Sequence, residues 1–247
     1  MKYSFVMLTW NRANYIKIGL PKLIQSIKDN NQSEIIIMDN NSSDDTVAVI
    51  RSMISQYKNI KLIQNKKNIG LNAYKKLFLK AKGTYIIEVD DDVLEMPERV
   101  DQIFEDYFNT FPDYGFLALN VVQNELTNGA KPGVENYKED IRGGKTIEEG
   151  PVGGWFSGFR KKDFWRLPFL VRFLRYDLNF KFGEDTAIDY LVRNKLNKRC
   201  GIIKDYICFH ASGPYYSQQF EAIDRDLEKY KKDGLDNFVD IYNQYKR

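Results

Sequence analysis

Short apolar runs rich in β-branched residues alternate with amphipathic stretches through the first half of the chain. The runs predict buried strands at 4–9, 34–38, 60–63 and 84–89. Residues that repeat at helical spacing predict helices between them, at 16–27, 46–57 and 71–82. Strands separated by helices of this length form parallel βαβ units with right-handed crossovers. The sequence therefore predicts an α/β fold with a mostly parallel central sheet flanked by helices.

The second half of the chain has a less regular pattern. It predicts further helices and strands, namely a helix with Pro97 in its first turn at 97–111, strands at 114–119 and 199–209, and a helix at 184–196. Residues 120–150 are polar and poorly periodic, which predicts a long loop. Residues 218–247 predict a charged C-terminal tail that forms one amphipathic helix, or a helix pair broken near Gly234.

The composition narrows the classes that the protein can belong to. A chain of 247 residues with 43% hydrophobic and 29% charged residues is typical of a globular protein. A net charge of +3 is too small to indicate nucleic-acid binding over the whole surface. The only cysteines, Cys200 and Cys208, provide no disulfide framework and fit a reducing compartment. We therefore expect no nucleic acid among its partners.

Two features of the chain bear on its location. The first ten residues carry an apolar run without a basic leader or a cleavage site, so we interpret them as a first strand and not a signal peptide. No apolar stretch approaches the roughly 20 residues needed to span a bilayer. We expect a cytoplasmic protein, with any membrane contact peripheral and at the inner face.

An acidic triplet is the most informative local feature. The apolar run at 84–89 ends in Asp90, Asp91 and Asp92. Adjacent carboxylates repel one another, and a hard divalent cation such as Mg²⁺ or Mn²⁺ would offset them. Asp90 and Asp92 share a face if the backbone stays extended. The triplet alone is equally compatible with a solvated acidic turn that leads into a helix N-terminus.

Polar residues also follow two other predicted strands. Thr9 and Asp39 stand at strand ends, as Asp90 does. In open parallel sheets, ligands bind beyond the carboxyl ends of the strands. The three positions together therefore favour a ligand site at this edge of the sheet.

Six segments, taken in chain order, resemble the family 2 glycosyltransferases, which have the GT-A (Rossmann-like) fold. They are Thr9–Arg12, Asp39–Thr46, Asn68–Asn72, Asp90–Asp92, Gly153–Gly158 and Gly183–Asp185, and the similarity covers roughly residues 3–212. The resemblance implies an enzyme that transfers a sugar from a nucleotide-diphosphate donor. The change in sequence character near residue 114 predicts a donor-binding half (1–113), an acceptor-binding and catalytic half of the same domain (114–216), and the C-terminal helical tail (217–247).

The resemblance assigns a set of residues to donor binding. Asp39 would accept a hydrogen bond from uracil N3–H, so the donor is expected to be a UDP-sugar. The full set expected to bind the donor is Thr9, Asn11, Arg12, Asp39, Asn68, Gly70, Asp90 and Asp91. Arg12 faces phosphate on this interpretation, and is a surface charge on the alternative.

The metal ligands and the general base also follow from the resemblance. Asp92 is the expected direct ligand of Mn²⁺ or Mg²⁺, with Asp90 binding ribose or the metal through water. His210, the only histidine, would be a further ligand or else a structural residue. Asp185 matches the general base of an inverting transfer. The alternative for Glu184 and Asp185 is a pair of acids stabilised by the helix dipole.

Contacts with sugars and with membranes are the remaining expectations. Gly154, Trp155 and Glu184 are candidates for contact with the acceptor or the donor sugar, although Trp155 would equally anchor its loop in the core. Residues 160–175 mix six basic residues with apolar ones, which fits peripheral contact with an anionic bilayer or an ordinary amphipathic surface. The helical tail would pack on its own domain or on a second copy in a homo-oligomer.

The sequence thus predicts an inverting, metal-dependent glycosyltransferase that acts on a glycan or lipid-linked acceptor in surface polysaccharide or glycoconjugate synthesis. A non-catalytic nucleotide-sugar-binding scaffold is the alternative from another class. A nucleotidylyltransferase is a weaker alternative, because Thr9–Arg12 lacks the glycine-rich phosphate loop that such enzymes carry after strand one.

Overall fold

A computed structural model describes residues 1–128, 131–167, 183–232 and 234–246. Within these ranges the strands are β1 (Tyr3–Thr9), β2 (Ser33–Asp39), β3 (Ile60–Gln64), β4 (Tyr85–Val89), β5 (Val93–Glu95), β6 (Tyr114–Val121), β7 (Lys138–Arg142), β8 (Lys145–Glu149), β9 (Phe156–Arg160) and β10 (Arg199–His210). The helices are α1 (Ala13–Ser26), α2 (Thr46–Ile54), α3 (Asn72–Lys80), α4 (Val100–Thr110), α5 (Lys161–Arg166), α6 (Glu184–Leu196), α7 (Pro214–Gln219), α8 (Ile223–Lys232) and α9 (Asp236–Tyr245).

One sheet runs through the whole domain in the order β3-β2-β1-β4-β9-β6-β10-β8-β7, and β5 pairs with the end of β10. β1 is parallel to both β2 and β4, β2 is parallel to β3, and β10 is parallel to β6. β9 lies antiparallel between β4 and β6, so those two strands run in the same direction. The prediction of a mostly parallel central sheet with flanking helices is confirmed. The division of function between residues 1–113 and 114–216 stays a prediction.

The central strands are buried on both faces, which explains their continuous apolar runs. Phe5 of β1, Ile37 of β2 and Ile87 of β4 are fully buried. The helices that connect these strands bury the apolar faces that their spacing predicts. Leu20 and Leu23 of α1 lie in the same core. This rigid layer presents the carboxyl ends of β1, β2 and β4 side by side.

Residues 120–150 are not the structureless loop that the sequence predicts. They contain the hairpin of β7 and β8, which adds two strands to the sheet edge. Much of the hairpin faces solvent, so its side chains are largely polar. Its sequence therefore lacks the apolar periodicity from which the other strands were predicted. Arg199 and Arg142 hold it through ion pairs with Glu149 and Asp113.

Two smaller predictions were also wrong, and one short strand was not predicted. Residues 153–158 were expected to be a loop, but β9 begins at Phe156. The helix expected at 97–111 starts at Val100, so Pro97 precedes it. The strand β5 is only three residues long and was not predicted.

The C-terminal tail forms helices α8 and α9 on either side of Gly234, as predicted, and Gly234 has a positive φ of 68°. The first residues of the tail pack on the same domain. The rings of Tyr15 and Phe220 lie 4.4 Å apart, and Asn14 donates a hydrogen bond to the Phe220 carbonyl.

The stretch expected to contact a membrane is described only as far as Leu167, and its residues 168–175 lie outside the described residues. Arg160 is buried and donates to the carboxylate of Asp163, so this residue is not a surface charge. Among the described helices, none has both the length and the apolar character needed to span a bilayer.

Candidate active site

The ends of β1 and β2 place Thr9 and Asp39 directly opposite each other. Both residues are buried, and the chain continues from them into loops that are fastened together. Asn40 N–H donates to the Thr9 carbonyl at 2.8 Å, and Asn11 Oδ1 accepts a hydrogen bond from Ser43 N–H at 2.8 Å. The structure therefore brings the predicted donor residues of these two strands to one edge.

The turn that contains Asn68 and Gly70 lies at the same edge. Asn40 Nδ2 donates to Asn68 Oδ1 at 2.8 Å, and Asn40 Oδ1 accepts from Ile69 N–H. Gly70 has a φ of +58°, in the left-handed region that favours glycine. The role of Asn40 in linking these loops was not predicted, because an Asn in an Asn/Ser/Asp-rich turn carries no distinguishing local signal.

Asp90, Asp92 and His210 form a cluster whose potential ligand atoms all lie within 4.8 Å of one another. His210 Nε2 lies 2.8 Å from Asp92 Oδ1 and 3.6 Å from Asp90 Oδ2. Two carboxylates and an imidazole are suitable ligands for Mn²⁺. His210 Nδ1 is buried without a hydrogen-bond partner. These residues therefore fit a divalent ion.

Strand β5 explains why His210 reaches the triplet. Val93 pairs with His210, and Ala211 N–H donates to the Asp92 carbonyl at 2.8 Å. The end of β10 is thereby fixed against the residues that directly follow Asp92. The predicted proximity of His210 to Asp90 and Asp92 is observed.

The charges of this cluster shift one another's pKa values. Burial raises the pKa of Asp90 to about 6, although His210 opposes this shift. Burial alone would also raise the pKa of Asp92, but His210 and Arg12 hold that pKa well below its usual range. Burial alone would lower the His210 pKa, which the carboxylates of Asp92 and Asp90 raise instead. The protein's own cations thus offset part of the acidic charge.

Arg12 is one of those cations, and the expectation that it could be a surface charge was wrong. Its side chain is 7% exposed. Its Nη2 donates to Asp226 Oδ1 at 2.9 Å and lies 3.7 Å from Asp92 Oδ2, while its Nε lies 3.9 Å from Asp91 Oδ1. Asp91 therefore faces Arg12. Asp226 was not predicted as part of the site, because nothing in the charged tail distinguishes this acid from its exposed neighbours.

Asp185 lies at the start of α6. It is connected to the acidic triplet by hydrogen bonds to two consecutive residues, Gly154 and Trp155. Gly154 N–H donates to Asp185 Oδ2 at 2.9 Å, and Asp90 N–H donates to the Trp155 carbonyl at 3.0 Å. Burial raises the pKa of the Asp185 carboxyl. The candidate base and the candidate metal ligand are thus positioned by the same short segment.

A buried pair of acids lies beside Asp185. A Cβ atom added to Gly154 would lie 3.4 Å from Oε1 of both Glu88 and Glu184. Burial is the main reason why the pKa of each acid is raised. The next contribution is the charge of Glu184 for Glu88, and the charge of Asp185 for Glu184. Glu88 was not predicted as part of the site. An acid inside the buried run of β4 was a visible signal for it.

Trp155 is one of the candidate sugar contacts, but it is buried. Its ring is 3% exposed and Nε1 donates to the Leu119 carbonyl at 2.9 Å. The ring therefore anchors the segment before β9 in the core, which was the alternative interpretation. The main chain of Gly154 and Trp155, rather than the indole ring, contacts the acids of the site.

Comparison with known proteins identifies the family. The model of the family described as "Glycosyl transferase family 2" matches residues 4–167, well over half of the chain. The chain therefore belongs to glycosyl transferase family 2.

Two curated relatives extend this result. The chain is 29% identical over 108 residues to a dolichol-phosphate mannosyltransferase of Saccharomyces cerevisiae, covering 42% of this chain and 40% of that protein. It is 25% identical over 182 residues to the succinoglycan biosynthesis protein ExoA of Rhizobium meliloti, covering 73% of this chain and 54% of ExoA. The chain thus spans about half the length of these relatives or less.

Solved structures agree on the fold. S. aureus TarS 1-349 in complex with UDP-GlcNAc superposes with a TM-score of 0.62 at 16% identity, over 90% of this chain and 64% of that one. The mannosyltransferase PcManGT from Pyrobaculum calidifontis, in complex with GDP-Man and Mn²⁺, superposes with a TM-score of 0.63 at 15% identity, over 85% of this chain and 56% of that one. The predicted GT-A fold is confirmed.

Proposed function

We propose that the protein is an inverting, metal-dependent glycosyltransferase that moves a sugar from a UDP-linked donor to a hydroxyl of a glycan or lipid-linked acceptor. The observation that carries the proposal is the link between Asp90 and Asp185 through Gly154 and Trp155. The candidate base and the candidate metal ligand are each hydrogen-bonded to this two-residue segment, which supports a fixed spacing between the two ends of a displacement reaction.

Asp185 is proposed as the general base. In an inverting transfer, the acceptor hydroxyl gives its proton to the base as its oxygen bonds to the anomeric carbon. The bond between that carbon and the diphosphate oxygen breaks, and the nucleoside diphosphate leaves. Burial raises the pKa of Asp185, which makes it a stronger base than an exposed aspartate. The hydrogen bond from Gly154 N–H fixes the orientation of its carboxylate.

Asp90, Asp92 and His210 are the proposed holders of Mn²⁺ or Mg²⁺. When bound, such an ion would supply a Lewis acid that stabilises the leaving diphosphate. The hydroxyl of Tyr74 donates to Asp90 Oδ1 at 3.1 Å and helps to orient this carboxylate.

The donor slot is proposed at the ends of β1 and β2. Asp39 would accept a hydrogen bond from uracil N3–H, with Thr9 and Asn11 lining the same slot and Asn68 and Gly70 flanking it. The hydrogen bonds from Asn40 to the Thr9 and Asn68 loops support a preformed slot, because both loops are held before any ligand arrives.

Relatives support both acceptor classes. One relative is named for dolichol phosphate, a lipid-linked phosphate, and the other for the polysaccharide succinoglycan. The proposed location is the cytoplasm, or the inner face of the membrane when the acceptor is lipid-linked. A role in surface polysaccharide or glycoconjugate synthesis fits both.

Calorimetric titration of UDP, GDP, CMP and dTDP into the purified protein tests the proposal, first with Mn²⁺ and then with EDTA. We expect metal-dependent binding of UDP. Tight binding of GDP alone would mean that the donor is a GDP-sugar and not a UDP-sugar. No binding of any nucleotide would overturn the proposed function. Nucleotide binding without product formation from any donor would favour the scaffold alternative.

A further inference from the structure

Asp226 connects the C-terminal tail to the acidic triplet. It lies on α8, is 2% exposed, and accepts hydrogen bonds from Arg12, Arg225 and Ser217. Arg225 also donates to the Trp10 carbonyl at 3.0 Å, and its guanidinium lies over the Trp10 ring. The tail therefore contacts the loop from Trp10 to Arg12, which directly follows β1.

The guanidinium of Arg12 lies between three carboxylates but hydrogen-bonds to only one of them. Its distance to Asp226 is 2.9 Å, whereas its distances to Asp92 and Asp91 are 3.7 and 3.9 Å. The two longer distances exceed the range of a hydrogen bond. Arg12 thus stabilises the charges of the triplet electrostatically, without forming hydrogen bonds to the carboxylate oxygens of Asp91 and Asp92.

Arg12 also has unused hydrogen-bonding capacity. Its Nε and Nη1 are buried and have no hydrogen-bond partner, and Asp91 Oδ2 is likewise buried without one. Buried donors and acceptors without partners are costly, so a guanidinium this close to Asp91 and Asp92 gains by closing on them. The bond from Arg12 to Asp226 opposes that movement.

We propose that Asp226 is a positioning residue that holds Arg12 back from Asp91 and Asp92, and so keeps the Asp92 carboxylate available to a divalent cation. The inference rests on the proposed metal site. It also makes the tail part of the proposed metal site, because Asp226 comes from α8 and not from the strands that carry the acids.

The test measures Mn²⁺ binding to the full-length chain by electron paramagnetic resonance of free Mn²⁺, alone and with saturating UDP or GDP. In Asp226→Asn the anchor loses its charge, and Arg12 closes on Asp92. We expect Mn²⁺ affinity to fall by about tenfold or more, the scale of a lost hydrogen bond between charged groups. Asp224→Asn is the matched control, because Asp224 is on the same helix but exposed and paired with Lys246.

A double variant separates positioning from folding. In R12Q/D226N the competing guanidinium is absent, so Mn²⁺ affinity should return at least to the wild-type value. The single variant R12Q should bind Mn²⁺ as tightly as wild type or more tightly, because a positive charge has been removed beside the ligands. R12Q also tests the inference if D226N fails to fold. Thermal unfolding of each variant reports whether it is folded.

The outcomes are distinct. Unchanged Mn²⁺ affinity in folded D226N, or no recovery in R12Q/D226N, overturns the positioning role. Loss of Mn²⁺ binding in folded R12Q also overturns it, since Arg12 would then be needed by the site. If wild type binds Mn²⁺ neither alone nor with either nucleotide, the metal site itself fails, and with it the proposed function.

Discussion

At the residue scale, burial decides what the acids of the site can do. Glu88 and Glu184 are buried and Asp185 is half-buried, and this burial raises the pKa of all three carboxyl groups. A raised pKa suits a base, but it also means that the charged form is unfavourable in the folded state. Function and stability are therefore coupled at these positions.

Asp185→Asn should abolish sugar transfer without affecting donor binding. The amide preserves the shape of the side chain but cannot take the proton from the acceptor, and a general base typically contributes at least about a hundredfold to the rate. Release of nucleoside diphosphate reports turnover, and calorimetry reports donor affinity. Asp189→Asn, one turn further along α6 and paired with Arg193, should keep its activity. Near-normal turnover in Asp185→Asn would rule out this assignment.

Glu184→Gln should stabilise the protein at high pH. The folded-state pKa of Glu184 is raised above its unfolded value, mainly by burial. Its stabilising contribution is present below the unfolded pKa and is lost as the pH rises through the folded pKa. Gln does not ionise, so the Tm of the variant should match wild type near about pH 4 and exceed it near about pH 9. The exposed Glu228→Gln serves as control, and an equal Tm for wild type and Glu184→Gln at both pH values would contradict the prediction.

At the element scale, short or polar strands complete the site. β5 has only three residues, yet its pairing with β10 holds His210 beside Asp92. The hairpin of β7 and β8 joins the sheet at Gly201, where a Cβ atom would lie 2.7 Å from the Glu148 carbonyl oxygen and 2.5 Å from Ile147 Cγ2. Glycine is thus required for the hairpin to approach β10.

Gly201→Ala should therefore weaken the docking of the hairpin. The added methyl group would meet backbone, which cannot move aside cheaply, so a loss of about 1–3 kcal/mol in the free energy of unfolding is expected. Urea unfolding measures it. Gly133→Ala is a control, because its Cβ would meet only the end of the flexible Glu135 side chain. Equal stability of both variants would show that the close approach has no energetic consequence.

At the scale of the whole molecule, the proposed donor slot lies at the carboxyl ends of β1 and β2, and the candidate base Asp185 lies at the start of α6, hydrogen-bonded to Gly154 just before β9. Residues from β1, β2 and β4, the loop before β9, the start of α6, the end of β10 and the tail meet at one edge. A ligand bound at this edge contacts elements spread along most of the chain. Binding should therefore stabilise the fold as a unit.

Mn²⁺ with UDP should raise the Tm of the whole chain. At a ligand concentration of about 100 Kd, stabilisation is about 2.7 kcal/mol, which corresponds to a Tm increase of roughly 5–10 °C for a chain of this size. Thermal unfolding with and without EDTA tests this, and EDTA should remove the increase. Asp92→Asn should show a much smaller shift. A shift that survives EDTA would mean that the nucleotide binds without the metal.

Local sequence determined most of the strands and helices, because their burial repeats at the period of each element. It also determined that Thr9, Asp39 and Asp90 stand at strand ends, since a polar residue after an apolar run marks where a strand leaves the core. The order of the motifs was sufficient to indicate the family, which the comparison then confirmed.

Tertiary structure alone decided which of these residues meet. Arg12 and Asp226 are 214 positions apart, and no local pattern relates them. The burial of Trp155 depends on Leu119, and the position of His210 depends on β5. Such contacts arise from how the elements pack, which residue spacing along the chain does not encode. The acids of the site could therefore be predicted from the sequence. The contact of Arg12 with these acids, and the helix α8 that holds Arg12, could not.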